Sequence, residues 1–154
     1  MRKGLWIFTL IIFLTGIAGT ALADNATKEE VTLKCKQAAI MIKELGVDAA
    51  IKEIGNKAGK FVWKDTYVFL MDLDGKMLAH PFKPELTQQE TTANITDADG
   101  KPLFVEFIKV ANATGEGWVD YRWPKPGEDK PVPKSSYIYR VPGTQYLVGA
   151  GIYK

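Results

Sequence analysis

The sequence is poor in the residues that build metal centres, disulfides and covalent haem sites. It contains one cysteine, Cys35, and one histidine, His80. A single cysteine cannot close a disulfide within the chain, and the haem-attachment motif Cys-x-x-Cys-His is missing. Cys35 lies among apolar residues with helical spacing, so we interpret it as a small buried hydrophobic residue. We therefore expect a domain that needs no metal and no cofactor.

Sequence motifs of common enzymes are also missing. There is no Gly-x-Ser-x-Gly and no phosphate-binding loop. The segment Asp72-Leu-Asp-Gly75 resembles the start of a calcium loop, but Lys76 and Lys83 stand where oxygen ligands belong. We expect a hairpin turn there instead. We predict that the protein is not an enzyme; catalysis by His80 as a base is the weakest alternative, because no partner for it is visible.

The N-terminal residues are typical of a secretory signal peptide. Arg2 and Lys3 precede an apolar run over residues 5–14, and Ala21-Leu-Ala23 supplies the small residues that a signal peptidase reads. We predict a signal peptide over residues 1–23 and a periplasmic or secreted protein. An uncleaved N-terminal anchor is the alternative, because residues 5–23 could just cross a thin bilayer.

The remaining residues, 24–154, have the length of one domain. Removal of Arg2 and Lys3 from the 20 basic residues leaves as many basic as acidic residues, which number 18. A neutral domain has no electrostatic footprint for nucleic acid, so we expect none to bind.

The first half of the domain shows helical periodicity followed by a hairpin. Thr27-Lys-Glu-Glu30 is a capping box, and the apolar residues behind it are spaced by three and four: Val31, Cys35, Ala38, Ile42 and Leu45. After Gly46, a shorter helix extends to about Gly55. Residues 66–73 then read as a buried strand, Asp74-Gly75 as a two-residue turn and residues 76–80 as the return strand.

That turn predicts which residues of the hairpin face each other. It pairs Leu73 with Lys76, Met71 with Leu78 and Phe69 with His80. One sheet face should then hold five side chains: Tyr67, Phe69, Met71, Leu78 and His80.

The second half contains one helix and three further strands. Pro102 is well placed to open the helix, and the strands cover residues 118–123, 135–141 and 145–153. We predict an α+β fold with a mainly antiparallel five-stranded sheet, helices on one side and a pocket on the other.

Aromatic and cationic residues suggest what this pocket binds. His80 shares its predicted face with Tyr67 and Phe69, and strand parity turns Tyr121 and Trp123 the same way. A short carboxylate needs a cation, a few donors and apolar walls, and Lys134 and Tyr137 lie at the start of the next strand. Each has a plainer interpretation: His80, Trp123 and Tyr137 as core residues, and Lys134 as an exposed lysine.

Several sequence blocks, in order, resemble the single Cache domain of type 2: Tyr67-Val-Phe-Leu-Met-Asp-Leu-Asp-Gly75, Ala79-His-Pro81, Pro84-Glu-Leu86, Asp97-Ala-Asp-Gly-Lys-Pro-Leu-Phe104, Gly115-Glu-Gly-Trp-Val-Asp-Tyr-Arg-Trp-Pro124, Pro133-Lys-Ser-Ser-Tyr137 and Val148-Gly-Ala-Gly-Ile-Tyr153. The resemblance implies a PAS-like sheet behind a long N-terminal helix. It also implies an extracytoplasmic sensing role of the kind found in chemoreceptors and histidine kinases, many of which bind small carboxylates. The chain departs from the family at Thr87-Gln-Gln89, where a Gly is usual.

The same resemblance places the pocket at seven positions: Tyr67, Phe69, His80, Tyr121, Trp123, Lys134 and Tyr137. We expect Lys134 to pair with a carboxylate, Tyr121 and His80 to donate hydrogen bonds, and Trp123, Tyr67 and Phe69 to form walls. The sequence ends directly after the last predicted strand, so we expect it to act through a separate partner. The alternative is a protein-interaction module that docks on a membrane receptor, kinase or transporter without a ligand of its own.

Overall fold

The computed structural model describes residues 25–154. The predicted signal peptide, residues 1–23, lies outside that range. Within it, no helix has both the length and the hydrophobicity required to cross a lipid bilayer.

Residues 25–154 form three α-helices, one short 3-10 helix and six strands. The helices are α1 (Lys28–Leu45), α2 (Val47–Gly55) and α3 (Leu103–Ala113), and the 3-10 helix covers Pro84–Gln88. The strands are β1 (Val62–Trp63), β2 (Thr66–Asp72), β3 (Met77–Ala79), β4 (Glu116–Pro124), β5 (Pro131–Arg140) and β6 (Tyr146–Tyr153).

Helix α1 begins at the predicted capping box. The Thr27 hydroxyl accepts a hydrogen bond from the Glu30 amide at 3.2 Å, and the Glu30 carboxylate accepts one from the Thr27 amide at 2.9 Å. Gly46 then ends α1 with a φ of 83°, a conformation that glycine adopts without strain. Leu45 continues the apolar spacing of α1, but in the last turn before Gly46 it is 66% exposed.

The sheet is antiparallel and confirms the predicted α+β, PAS-like architecture. Its strand order is β1-β2-β6-β5-β4, and β3 pairs with β2 beside β1. The predicted number of five strands is wrong, because the two-residue β1 pairs with the start of β2 through Val62 and Tyr67. The two longest strands, β4 and β5, pair from Pro124–Pro131 to Glu116–Tyr139, which is the whole length of β4.

Helices cover both faces of the sheet, whereas the sequence predicted them on one. Helices α1 and α2 pack on one face through residues such as Cys35 and Ile54. Helix α3 packs on the other face, where Phe107 contacts Phe69 and Tyr121 with ring centroids 5.5 and 5.3 Å apart. We call the face beneath α1 and α2 the helix face and the face beneath α3 the site face. The large apolar surface of α3 explains its position, because the site face needs a cover to exclude water.

The β2–β3 hairpin differs from the predicted register. A bulge between Leu70 and Met71 pairs Met71 with Met77, so Met77 faces the site core and Leu78 contacts the helix-face core. The turn has three residues, because the Asp72 side chain accepts hydrogen bonds from the amides of Asp74 and Lys76 at 3.1 and 2.8 Å. Gly75 has a φ of 96° and Asp74 has no positive φ, which excludes the predicted two-residue turn.

Candidate ligand-binding site

The site face brings together six of the seven side chains singled out from the sequence. They are Tyr67, Phe69, His80, Tyr121, Trp123 and Lys134. The His80 ring lies at their centre, with its centroid 4.7 Å from that of Tyr67 and 6.3 Å from that of Trp123. Alternation along three strands produces this cluster, because every second residue of β2, β4 and β5 points to the same face.

Tyr137 does not join this cluster. It lies three residues after Lys134 on β5, so it points to the helix face, where its ring is 5.5 Å from that of Trp118. Its hydroxyl donates a hydrogen bond to the Glu116 carboxylate. Placing Tyr137 beside Lys134 was therefore wrong, for the simple reason that residues three apart on a strand face opposite ways.

Lys134 is the most unusual residue of the cluster. Its side chain is buried, with 1% exposure, and Nζ lies between two phenol rings, 4.3 Å from the centroid of Tyr67 and 4.5 Å from that of Tyr153. Nζ donates one hydrogen bond, to the Tyr153 hydroxyl at 3.1 Å. No carboxylate among residues 25–154 forms an ion pair with it.

Burial without a counter-ion destabilises the charged form of Lys134. It lowers the pKa of the amine from 10.5 to about 7, and the negative charge of Asp65 only partly offsets this effect. Buried charges in proteins are normally paired, or the group becomes neutral, so an anion beside Nζ would favour the charged form of Lys134.

Two glycines of β6 make room for these side chains. A Cβ on Gly151 would lie 2.8 Å from Cε of Lys134, and a Cβ on Gly149 would lie 2.3 Å from Cζ of Phe69. Both distances are far below a normal contact, so any larger residue would push the Lys134 stem or the Phe69 ring off the sheet. The Gly-Ala-Gly segment of β6 is thus part of the site although it contributes no functional group.

His80 is held as a neutral hydrogen-bond donor. Its Nδ1 accepts hydrogen bonds from the amides of Phe82 and Lys83 at 3.2 and 3.0 Å, so Nε2 carries the hydrogen. Burial, and then the positive charges of Lys134 and Lys83, lower the pKa of His80 to about 3. No residue in the range 25–154 accepts a hydrogen bond from Nε2, which leaves this donor available.

The phenols around Lys134 also remain protonated donors. The Tyr121 hydroxyl and the Ser136 hydroxyl share a hydrogen bond of 2.9 Å. Burial raises the pKa of Tyr67 and Tyr121 well above the usual value for a phenol. The site therefore offers several neutral O–H and N–H donors around one amine, an arrangement that suits an anion with oxygen atoms.

A cavity of about 190 Å³ opens beside the cluster. Tyr67 and Trp123 form its inner wall, Phe82 and Lys83 one side, and the segment 124–129 the other. Tyr67 separates this cavity from the Lys134 amine, because it lines the cavity and also covers Nζ. Lys83 and Lys125 line the cavity together with Glu128 and Asp129, so its charged lining is balanced, and Lys134 lies behind Tyr67 and not in the lining.

Sequence reasoning missed Tyr153. Its hydroxyl accepts the hydrogen bond from Lys134 and donates one to the carbonyl of Pro124 at 2.8 Å. The signal that could have found it is parity: Tyr153 follows Gly149 and Gly151 on β6, and all three point to the site face. Residues 25–154 contain no cluster of three or more His, Cys, Asp or Glu side chains suited to a metal ion.

Comparison with known proteins identifies relatives of this chain. The family described as Cache domain matches residues 27–154. The methyl-accepting chemotaxis protein McpP of Pseudomonas putida is 42% identical over 89 residues, which are 58% of this chain and 16% of that protein. The sensor histidine kinase MctS of Rhizobium johnstonii is 29% identical over 165 aligned positions, covering 96% of this chain and 35% of the kinase. The chain thus spans well under two thirds of both curated relatives.

Solved structures show the same fold. A Cache chemosensory domain, described for its recognition of carboxylic acids, superposes with a TM-score of 0.71 and 30% identity over 81% of this chain and 91% of its own. A periplasmic sensor domain of a chemotaxis protein has a TM-score of 0.64 and 30% identity, covering 81% and 88% of the two chains. A methyl-accepting chemotaxis protein of Vibrio parahaemolyticus has a TM-score of 0.69 and 25% identity, covering 82% and 87%.

Proposed function

Because the chain belongs to the Cache domain family, we propose that it is an extracytoplasmic sensing domain that binds a small carboxylate beside Lys134. The observation that carries this proposal is the buried amine of Lys134, which has one hydrogen bond and no counter-ion among the described residues. A carboxylate would supply the missing negative charge. The relative described for carboxylic acid recognition shares the fold, which supports the same ligand class.

The surrounding groups define how the acid would be held. One carboxylate oxygen would accept from Lys134 Nζ, while Tyr121 and His80 Nε2 would donate to the other. Tyr67, Phe69 and Trp123 would enclose the carbon end. The neighbouring cavity of about 190 Å³ would hold the carbon end once the Tyr153 ring moves away from the amine. This volume corresponds to roughly six water molecules at ~30 Å³ each, which favours acids of about two to four carbon atoms.

The proposed role is binding and not catalysis. In the tautomer fixed by the Phe82 and Lys83 amides, the free nitrogen of His80 carries a hydrogen. It can donate a hydrogen bond, but it has no lone pair with which to remove a proton. The response to ligand would pass to a separate membrane receptor, kinase or transporter, in keeping with the chemotaxis and kinase relatives.

Isothermal titration calorimetry with acetate, propionate and succinate tests the ligand class. Loss of a charge-assisted hydrogen bond removes roughly 1.5–3 kcal/mol, so Lys134→Met should weaken binding about tenfold to a hundredfold. The matched control is Lys52→Met, which removes an exposed charge from α2 and should leave the Kd unchanged. Undiminished affinity of Lys134→Met for an acid that the wild type binds would contradict the role of Lys134.

A second pair of variants tests which face is used. Tyr121→Phe should weaken binding, because it removes a buried donor of the site face, while Tyr137→Phe should not, because that hydroxyl bonds Glu116 on the helix face. Equal effects of the two variants would argue against a pocket on the site face.

The closed packing around Lys134 favours a second candidate function. The rings of Tyr67 and Tyr153 already cover Nζ, so the domain could serve as a protein-interaction module whose pocket is filled by its own side chains. In that case none of the acids binds, and affinity capture from the cell envelope retains a membrane receptor, kinase or transporter equally with wild type and Lys134→Met.

A further inference from the structure

Tyr153 connects the amine of the site to the loop that closes the cavity. Its hydroxyl accepts from Lys134 Nζ at 3.1 Å and donates to the Pro124 carbonyl at 2.8 Å. Pro124 is the last residue of β4, and residues 124–129 of the segment between β4 and Pro131 form one wall of the cavity. One phenol thus joins the buried charge to the base of this loop, which we call the 124–131 loop.

The number of hydrogens on this phenol limits what it can do. Burial, and then the nearby phenol of Tyr121, raise the pKa of Tyr153, so its hydroxyl keeps a single hydrogen. That hydrogen is used by Pro124 in the empty site. It cannot be given fully to a carboxylate oxygen at Lys134 while it remains on the Pro124 carbonyl.

The room around Nζ also prevents Tyr153 from keeping its position when an anion binds. The amine lies between Tyr67 and Tyr153, at 4.3 and 4.5 Å from the two ring centroids, and Lys134 and Tyr153 are paired neighbours on β5 and β6. An anion in contact with Nζ must move one of these rings. Tyr67 is fixed by its ring contacts with His80 and Phe82, whereas the ring contact of Tyr153 outside the site is with Lys125 of the loop itself.

We propose that Tyr153 is a latch between the anion site and the 124–131 loop, a role that rests on the proposed function. In the empty site it stabilises the Lys134 amine and holds the loop through Pro124. When a carboxylate binds Nζ, the phenol gives up its bond to Pro124 and the loop is released. The domain then presents a different surface around Lys125–Lys130 in its bound and empty states.

Hydrogen–deuterium exchange of the loop amides tests the latch without any ligand. Tyr153→Phe keeps the ring and removes the hydrogen bonds to Lys134 and Pro124. The loop amide of Glu128, which donates to the Lys125 carbonyl at 3.0 Å, should then exchange several-fold faster than in the wild type. The control is Tyr139→Phe, a change on the helix face in a hydroxyl that bonds no described residue, and it should leave the loop unchanged. Equal loop exchange in Tyr153→Phe and the wild type overturns the proposal.

Ligand binding supplies a readout that a merely structural role would not give. Without the phenol oxygen, the Lys134 amine has no internal acceptor to exchange for the ligand, so Tyr153→Phe should bind acetate or propionate about threefold to tenfold more tightly. Saturating acid should speed loop exchange in the wild type and change nothing further in Tyr153→Phe. Weaker binding by the variant, or a loop in the wild type that acid does not affect, contradicts the latch.

The two proposals fail in different ways. If the wild type binds no acid, the carboxylate function fails, while the ligand-free exchange still decides whether Tyr153 holds the loop. If the wild type binds an acid through Lys134 but the loop does not respond, the sensing function remains and the latch is wrong.

Discussion

Lys134 should make the stability of the empty protein rise with pH, and Lys134→Met should remove this dependence. In the unfolded chain the amine keeps its ordinary pKa of 10.5, whereas burial lowers it to about 7 in the folded protein. Between these two values the unfolded state binds one proton more at this residue than the folded state, so the free energy of unfolding increases with pH. Below pH 7 both states hold the proton, and the destabilisation has its full size.

The magnitude follows from the distance between the two pKa values. Each pH unit in this interval changes the folding equilibrium about tenfold at this residue, so the whole interval contributes about three orders of magnitude, or roughly 4–5 kcal/mol. Met fills a similar volume without a charge to desolvate, and such replacements of buried charges are often neutral or stabilising. At pH 6, Lys134→Met should therefore be the more stable protein by several kcal/mol.

Urea unfolding followed by tryptophan fluorescence between pH 6 and pH 10.5, in buffers free of carboxylates, measures this difference. Subtracting the free energy of unfolding of Lys134→Met from that of the wild type cancels the contribution of the other titrating groups. This difference should rise towards alkaline pH. Lys52→Met should instead run parallel to the wild type. A flat difference between wild type and Lys134→Met would refute the view that Lys134 is buried without a counter-ion.

Two further expectations concern His80 and the glycines of β6. With a pKa of about 3, His80 should remain neutral at pH 5, with its hydrogen on Nε2; an imidazolium seen by nitrogen NMR at pH 5 would contradict the site geometry. The free energy of unfolding should fall as pH drops from about 6.5 towards 3, because only the unfolded chain takes up the proton. Gly149→Ala should destabilise the fold by ~1–3 kcal/mol, because its Cβ would lie 2.3 Å from Phe69. Gly55→Ala meets no atom within 4 Å and should be neutral; if urea midpoints of the two variants agree, the packing argument is wrong.

Local sequence signals predicted most elements of the fold. The capping box at Thr27, the helix start at Pro102 and the alternation of Tyr121 and Trp123 all depend on neighbours within a few residues, and the structure confirms each of them. Strand β1 was missed because its two residues, Val62 and Trp63, are too few to show a period.

The errors arose where a side chain or a distant strand decides the geometry. The Asp72 carboxylate stabilises a three-residue turn, which residue preferences for a two-residue turn do not reveal. The misplacement of Tyr137 was avoidable, because strand parity separates it from Lys134. The pairing of Tyr153 with Lys134 depends on the β5–β6 register, and no local pattern specifies that register.

Strand β6 has a consequence for how the two faces of the sheet communicate. Val148 and Ala150 of this strand belong to the core beneath α1, while Gly149 lies against Phe69, and Gly151 and Tyr153 lie against Lys134. The thiol of Cys35 on α1 lies 3.9 Å from the carbonyl of Tyr137 on the adjoining strand. A shift of the β6 backbone by a fraction of an ångström would therefore reach α1 directly, because only the thickness of one strand separates this helix from the site.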